Sequence, residues 1–155
     1  MNIPGDFYVE SQKAARRLGR RAILLVGPDG DRSLAESDPD IHVAAYAPFS
    51  QLFPRAAAIV HQGGIGTVHQ ALRSGRPQLV VPHLGDQYDN AARVVRLGCG
   101  RSLARNRYRS ETVATALSAI AGDPLISALA DAVATQVRSQ DGADAGAGLI
   151  SDLLR

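Results

Sequence analysis

The chain has one cysteine, Cys99, in 155 residues. It can form no internal disulfide and offers no cysteine-based metal site, which fits a reducing compartment. No apolar run approaches the roughly 20 residues a membrane-spanning helix needs, and no basic-then-apolar leader opens the chain. The expected location is therefore cytoplasmic, with no transmembrane segment. Excess charge is also scarce. The formal net charge is +2, and the arginines are scattered instead of clustered with aromatics, which argues against nucleic-acid binding. The densest basic cluster, Arg16, Arg17, Arg20 and Arg21, falls where a helix ends and a strand begins, so a favourable helix-dipole contact accounts for it. Internal repeats and low-complexity stretches are absent. What remains is an ordinary globular composition, 45% hydrophobic and 21% charged. The length is that of one domain, and short for a two-domain enzyme.

Short apolar runs alternate with helical patterns. Met1 to Asp6 is polar and broken by Pro4 and Gly5, after which Phe7, Ala14, Ala15 and Leu18 lie at helical spacings and Gly19 is placed to end the helix. Ala22 to Val26 reads as a strand buried in a parallel sheet, and the loop Gly27 to Ser33 follows its carboxyl end, where ligands collect in open α/β sheets. Further strands are expected at Ile41 to Tyr46, Ala57 to Val60, Gln78 to Val81 and Arg101 to Ala104, with a short helix around Ser50 to Phe53. Asp89 or Asn90 is placed to cap a helix whose Ala91, Val94 and Val95 face inward, ahead of Gly98. Ser110 is expected to cap Glu111 to Ala121. Asp123-Pro124 opens a helix with Ile126, Leu129, Val133 and Val137 inward, and Asp141-Gly142 turns into a last helix near Ala145 to Leu154. Strands alternating with helices imply an α/β fold, a Rossmann-like parallel sheet with helices on both faces and a helical C-terminal tail.

One stretch concentrates the chemistry. His61 to Pro77 reads H-Q-G-G-I-G-T-V-H-Q-A-L-R-S-G-R-P after an apolar run, describing a strand, a glycine turn and a helix start. Gly63, Gly64 and Gly66 let backbone come close to a ligand, and the unpaired N–H groups of a helix's first turn attract phosphate. The same glycines would also serve merely to shape the turn.

Three segments carry a resemblance: P-F-S-Q-L-F-P-R-A-A-A-I-V-H-Q-G-G-I-G-T, then A-L-R-S-G-R-P-Q-L-V-V-P, then D-Q-Y-D-N-A-A-R-V-V-R-L-G. In this order the chain, from about Phe7 to Leu103, resembles the carboxyl-terminal half of GT-B nucleotide-sugar glycosyltransferases. Within them it is similar to the UDP-glycosyltransferase family, including bacterial antibiotic, sterol and rhamnolipid enzymes. The resemblance implies one donor-binding domain over residues 1–155, and a glycosyltransferase of the hexosyl type. It places His61 and the backbone of Gly63, Gly64, Ile65, Gly66 and Thr67 at the donor diphosphate, with His61 stabilising the departing nucleotide so that no bound metal is needed. Asp86 and Gln87 match an acid-glutamine pair that binds sugar hydroxyls. Tyr46, with Phe49 as runner-up, falls where relatives stack an aromatic on the base; either residue could instead belong to the core. His69 stands where plant relatives carry a glutamate that holds the ribose. No cofactor is implied, and His61, His69 and His83 lack the regular spacing of a zinc site. His42 and His83 have no assigned role.

The resemblance further implies an inverting transfer of a hexose from a UDP- or dTDP-sugar to an acceptor hydroxyl. Acceptor site and general base belong to an amino-terminal domain not found in this sequence, so an acceptor-binding domain or subunit is an implied partner. A non-catalytic donor-binding subunit with a separate acceptor chain is the alternative. Relatives also have a first strand ending in glycine-serine just before a segment like I-P-G-D-F-Y. The donor domain is thus expected to be truncated at its N-terminus, with Met1 an internal methionine and a one-strand gap between Ala22 to Val26 and Ala57 to Val60.

Overall fold

A computed structural model of the protein describes residues 6–31, 33, 38–140 and 142–154. Helix α1 (Phe7–Leu18) leads into strand β1 (Ala22–Leu25), then β2 (Ile41–Ala44), the short helix α2 (Phe49–Leu52) and a 3-10 turn at Phe53–Arg55. Strand β3 (Ile59–His61), helix α3 (Ile65–Ser74), strand β4 (Gln78–Val80), helix α4 (Gln87–Arg96) and strand β5 (Gly100–Ser102) follow. Three helices close the chain: α5 (Ser110–Ala121), α6 (Pro124–Arg138) and α7 (Gly142–Leu153). The expected alternation of strands and helices is present, with all strand pairs parallel.

Two helical layers sandwich the strands. Alternate residues of a strand face opposite ways, and β4 shows it: Leu79 and Val81 pack with Ala14 of α1 and Val113, Ala114 and Ile120 of α5. Val80 packs on the other face with Val68 of α3, Ala91 and Val94 of α4, and Ala130 of α6. The three residues of β4 are fully buried, as a central parallel strand requires.

The strands form two sheets, β1-β2 and β3-β4-β5. Among the described residues no ladder joins β1 to β3. Ala22 and Val26 donate their N–H groups to Asp40 and Ala44 on the β2 side, so the backbone of Ile23 and Leu25 points the opposite way. There the Tyr8 hydroxyl donates to the Leu25 carbonyl at 2.9 Å. In the other sheet, Ile59 donates to Pro77 beside β4, which turns the Val60 backbone away from β4. Helix α1 packs on both halves, Ala14 on the β4 side and Ala15 against Leu24, Val26 and Ile41.

Several boundaries differ from the sequence expectations. Strand β2 stops at Ala44, short of Tyr46, β3 runs on through His61, and β5 begins at Gly100. Helix α4 starts at Gln87, so Asp86 holds the cap position, while Asn90 lies inside the first turns and is buried. Val95 is exposed, while Ala91 and Val94 fill the inward positions. Leu129 is not buried, being more than a third exposed, and the buried residues of α6 are Ala130 and Ala134. Ser110 is the first residue of α5 rather than its cap. Its N–H is taken by the Glu10 carboxylate, which the Lys13 ammonium and this N–H hold below the usual carboxylate range. Asp123 does cap α6, accepting from Leu125 and Ile126. Met1 to Gly5, Arg32 in the loop after β1, and Asp141 lie outside the described residues. No single described helix is long and apolar enough to cross a membrane.

Candidate functional site

The polar residues singled out in the sequence gather in the loops after β3 and β4, at the carboxyl ends of neighbouring parallel strands. The first loop is a turn that a side chain would break. Gly63 has φ +92°, and a Cβ there would lie 2.9 Å from Val80 Cγ1 and 3.1 Å from the Gln87 carbonyl. Gly64 then takes the cap position of α3 in extended conformation, and no side chain caps the helix. The first helical bond runs from Val68 N–H to Gly64 O, so the N–H groups of Ile65, Gly66 and Thr67 have no partner among the described residues. Three aligned donors at the positive end of a ten-residue helix form a place for an anion. Gly66 leaves it open, since nothing lies within 4 Å of where its Cβ would be.

His61 supports this loop from below. It is buried, and burial pushes its pKa down from 6.5, although the Gln78 hydrogen bond opposes the shift. The Gly63 N–H donates to Nδ1 at 3.0 Å, which assigns the proton of the neutral ring to Nε2; this nitrogen lies 2.9 Å from Gln78 Oε1. Both ring nitrogens are thus occupied within the protein.

The second loop meets the first through Asn90. One Nδ2 proton goes to the Gly63 carbonyl at 2.9 Å and the other to Asp86 Oδ2 at 3.0 Å. Asp86 is exposed and keeps its second carboxylate oxygen for solvent or ligand. Gln87 is buried, and its Oε1 accepts from the N–H groups of His83 and Leu84, so this side chain also shapes the loop it follows. His83 lies in that loop, its pKa lowered first by burial and then by Arg105.

The remaining site residues separate. Tyr46 is 77% exposed beyond the end of β2, free to present its ring. Phe49 stacks on Phe53 at 4.5 Å and packs, half-buried, against the cluster of Phe53, Ile59 and Ala71. His69 is exposed on α3, and His42 is exposed on β2. The sequence reading missed two residues. Gln78 was visible as a polar residue inside the apolar run Q-L-V-V, and Asn90 as a residue four positions after Asp86, hence on one helix face.

Comparison with known proteins shows the family and the fold. The family model for the C-terminal domain of erythromycin biosynthesis protein CIII-like proteins matches residues 16–151. Vancomycin aglycone glucosyltransferase of Amycolatopsis orientalis is 36% identical over 152 residues, 98% of this chain and 37% of that protein. The solved glycosyltransferase of kitacinnamycin superposes with a TM-score of 0.88 at 26% identity, covering 98% of this chain and 40% of that one. Spinosyn rhamnosyltransferase SpnG, complexed with thymidine diphosphate, superposes at 0.81 and 26% identity, over 97% and 41%. The chain thus spans little more than a third of the curated relative it matches. A chain that shares this layout over nearly its whole length belongs to the erythromycin CIII-like family, as a C-terminal domain of GT-B glycosyltransferases.

Proposed function

We propose that the chain binds the donor of an inverting hexosyl transfer, a UDP- or dTDP-sugar, with the diphosphate on the α3 N-terminus and the sugar at Asp86. The observation that carries this is the uncapped start of α3, three free N–H groups behind a glycine turn, held next to an exposed carboxylate by Asn90. As the bond from the anomeric carbon to the diphosphate breaks, negative charge grows on the leaving phosphate. Fixed N–H donors stabilise that charge without reorganising. His61 contributes through Gly63, whose amide it holds, and Asp86 accepts from sugar hydroxyls. Gln87 orders the loop and presents Asp86; Tyr46 supplies an aromatic face for the base. His69 lies on the exposed side of α3, and a ribose contact there is a further part of the proposal.

Acceptor recognition and the general base are assigned to a second domain or subunit. The thymidine diphosphate in the SpnG complex supports a nucleotide diphosphate as ligand. Calorimetric titration of this chain with UDP, dTDP, UDP-glucose and dTDP-glucose tests the reading. Saturable binding of at least one pair is expected; no heat and no thermal shift with any of the four would refute it. Co-purification with a separate acceptor chain would favour the non-catalytic subunit over a single-chain enzyme.

A further inference from the structure

We infer that Asn90 is a positioning residue that sets the sugar subsite against the diphosphate subsite; the inference rests on the donor-binding reading and adds a coupling between its two halves. The Asn90 side chain is buried, and its single NH2 group divides its protons between two loops. One proton holds the carbonyl of Gly63, the residue that directs the chain into α3. The other holds a carboxylate oxygen of Asp86, the residue that opens α4. The opposite end of Gly63 is fixed as well, because its N–H donates to His61, which is in turn anchored on Gln78. Gly63 is therefore gripped at both its N–H and its C=O, with Val80 and Gln87 leaving no room for a side chain.

This arrangement gives Asn90 a task that Asp86 alone cannot perform. A carboxylate at the exposed start of a helix has free rotation about its side chain, and each lost rotamer weakens the hydrogen bonds it makes to a ligand. With one oxygen held by Asn90, the other is left at a set distance from the α3 N-terminus. A ligand joining phosphate to sugar through a short covalent link gains from such fixed spacing, whereas a nucleotide without the sugar does not. Without Asn90 the carboxylate stays charged and exposed but loses its orientation relative to the phosphate.

The test is the ratio of the dissociation constant of dTDP to that of dTDP-glucose, measured by calorimetry on the full chain, with UDP and UDP-glucose as a second pair. Asn90→Ala is expected to reduce this ratio about as far as Asp86→Ala does, with the double variant no lower than either single one. Asn90→Asp, close in volume but without the two amide protons, is expected to do the same at neutral pH. A ratio unchanged in Asn90→Ala, whether because neither ligand weakens or because both weaken equally, would overturn the inference and leave the donor-binding reading standing. So would additive losses in the double variant. Failure of both Asn90 variants to unfold cooperatively would make Asn90 a structural residue and overturn it too. If the unaltered chain bound none of the four ligands, the donor-binding reading would fall and carry this inference with it.

Discussion

Gly66→Val separates ligand binding from folding at the α3 N-terminus. Gly66 is the second residue of the helix, its φ is an ordinary one for side-chain-bearing residues, and nothing approaches within 4 Å of its Cβ position. Valine has a better helix propensity than glycine, by a few tenths of a kcal/mol, so stability should hold or rise slightly. The cost falls on the ligand. A branched side chain beside the free N–H groups of residues 65–67 would keep a phosphate from at least one of them, and a hydrogen bond to a charged group contributes about 1.5–3 kcal/mol. At about 1.4 kcal/mol per tenfold, dTDP and UDP should bind roughly 10- to 100-fold more weakly. Calorimetry gives the affinity and urea unfolding the stability. Gly63→Ala supplies the contrast: at φ +92° and 2.9 Å from Val80, it should lose stability, by about 1–3 kcal/mol from backbone strain alone. Equal affinity of the unaltered chain and Gly66→Val would remove the α3 N-terminus from the site.

Three further outcomes are expected. Asp86→Ala should weaken dTDP-glucose by about 1.5–3 kcal/mol and leave dTDP nearly unchanged; parallel losses in a titration of both would place the carboxylate away from the sugar. Tyr46→Ala should change urea stability by no more than about 0.5 kcal/mol, because the ring is exposed, yet reduce nucleotide affinity by about 1–3 kcal/mol if it stacks on the base. Phe49→Ala should show the reverse pattern, a loss of stability from the Phe53 stack and its cluster, and the reasoning fails if Tyr46 is the more destabilising of the two. Because burial lowers the His61 pKa, the unfolded chain binds the extra proton more readily, so the contribution of the neutral ring is complete above about pH 6.5 and is lost as pH falls below it. His61→Asn retains an acceptor for Gly63 and cannot titrate; urea unfolding at pH 7.5 and 5.5 should show a smaller decline for it, and equal declines would refute the assignment.

The sequence made legible what depends on local pattern. Apolar runs, helical spacings and turn residues located every strand and α-helix among the described residues, though not the 3-10 helix at Arg105–Arg107, and Asp123-Pro124 marked a true cap. It misled where a distant partner replaced a local one. Ser110 looked like a cap, but the donor at that helix start is satisfied by Glu10, a hundred residues earlier in the chain. Asn90 looked like a cap for the same reason, a short polar side chain near a helix start, while Gln87 had already bracketed the loop and moved the helix start forward. The glycine turn and the uncapped helix start behind it were readable because backbone shape follows from residue type. The state of His61 was not, since only the fold brings Gln78 and the Gly63 amide to its two nitrogens. Between Tyr46 and Phe49 the sequence left the choice open; in the fold Tyr46 is exposed and Phe49 half-buried against Phe53.

The break between β1 and β3 bears on how the molecule opens. Cooperativity in a sheet passes from strand to strand through shared ladders, and no ladder crosses this boundary among the described residues. What links the two parts is a helix: Ala14 of α1 packs with the β4 side and Ala15 with β1 and β2, while Tyr8 reaches the Leu25 carbonyl. Packing along one helix is a weaker coupling than a continuous ladder, so the β1-β2 pair is expected to open as its own unit of sub-global unfolding. Its amides should exchange with solvent at a lower free energy than those of β4, whose strand is flanked on both sides. Tyr46 leads out of that looser unit and the diphosphate loop out of the firmer one. A nucleotide that engaged both would suppress exchange in β1 and β2, acting as the fastener that the sheet itself does not provide.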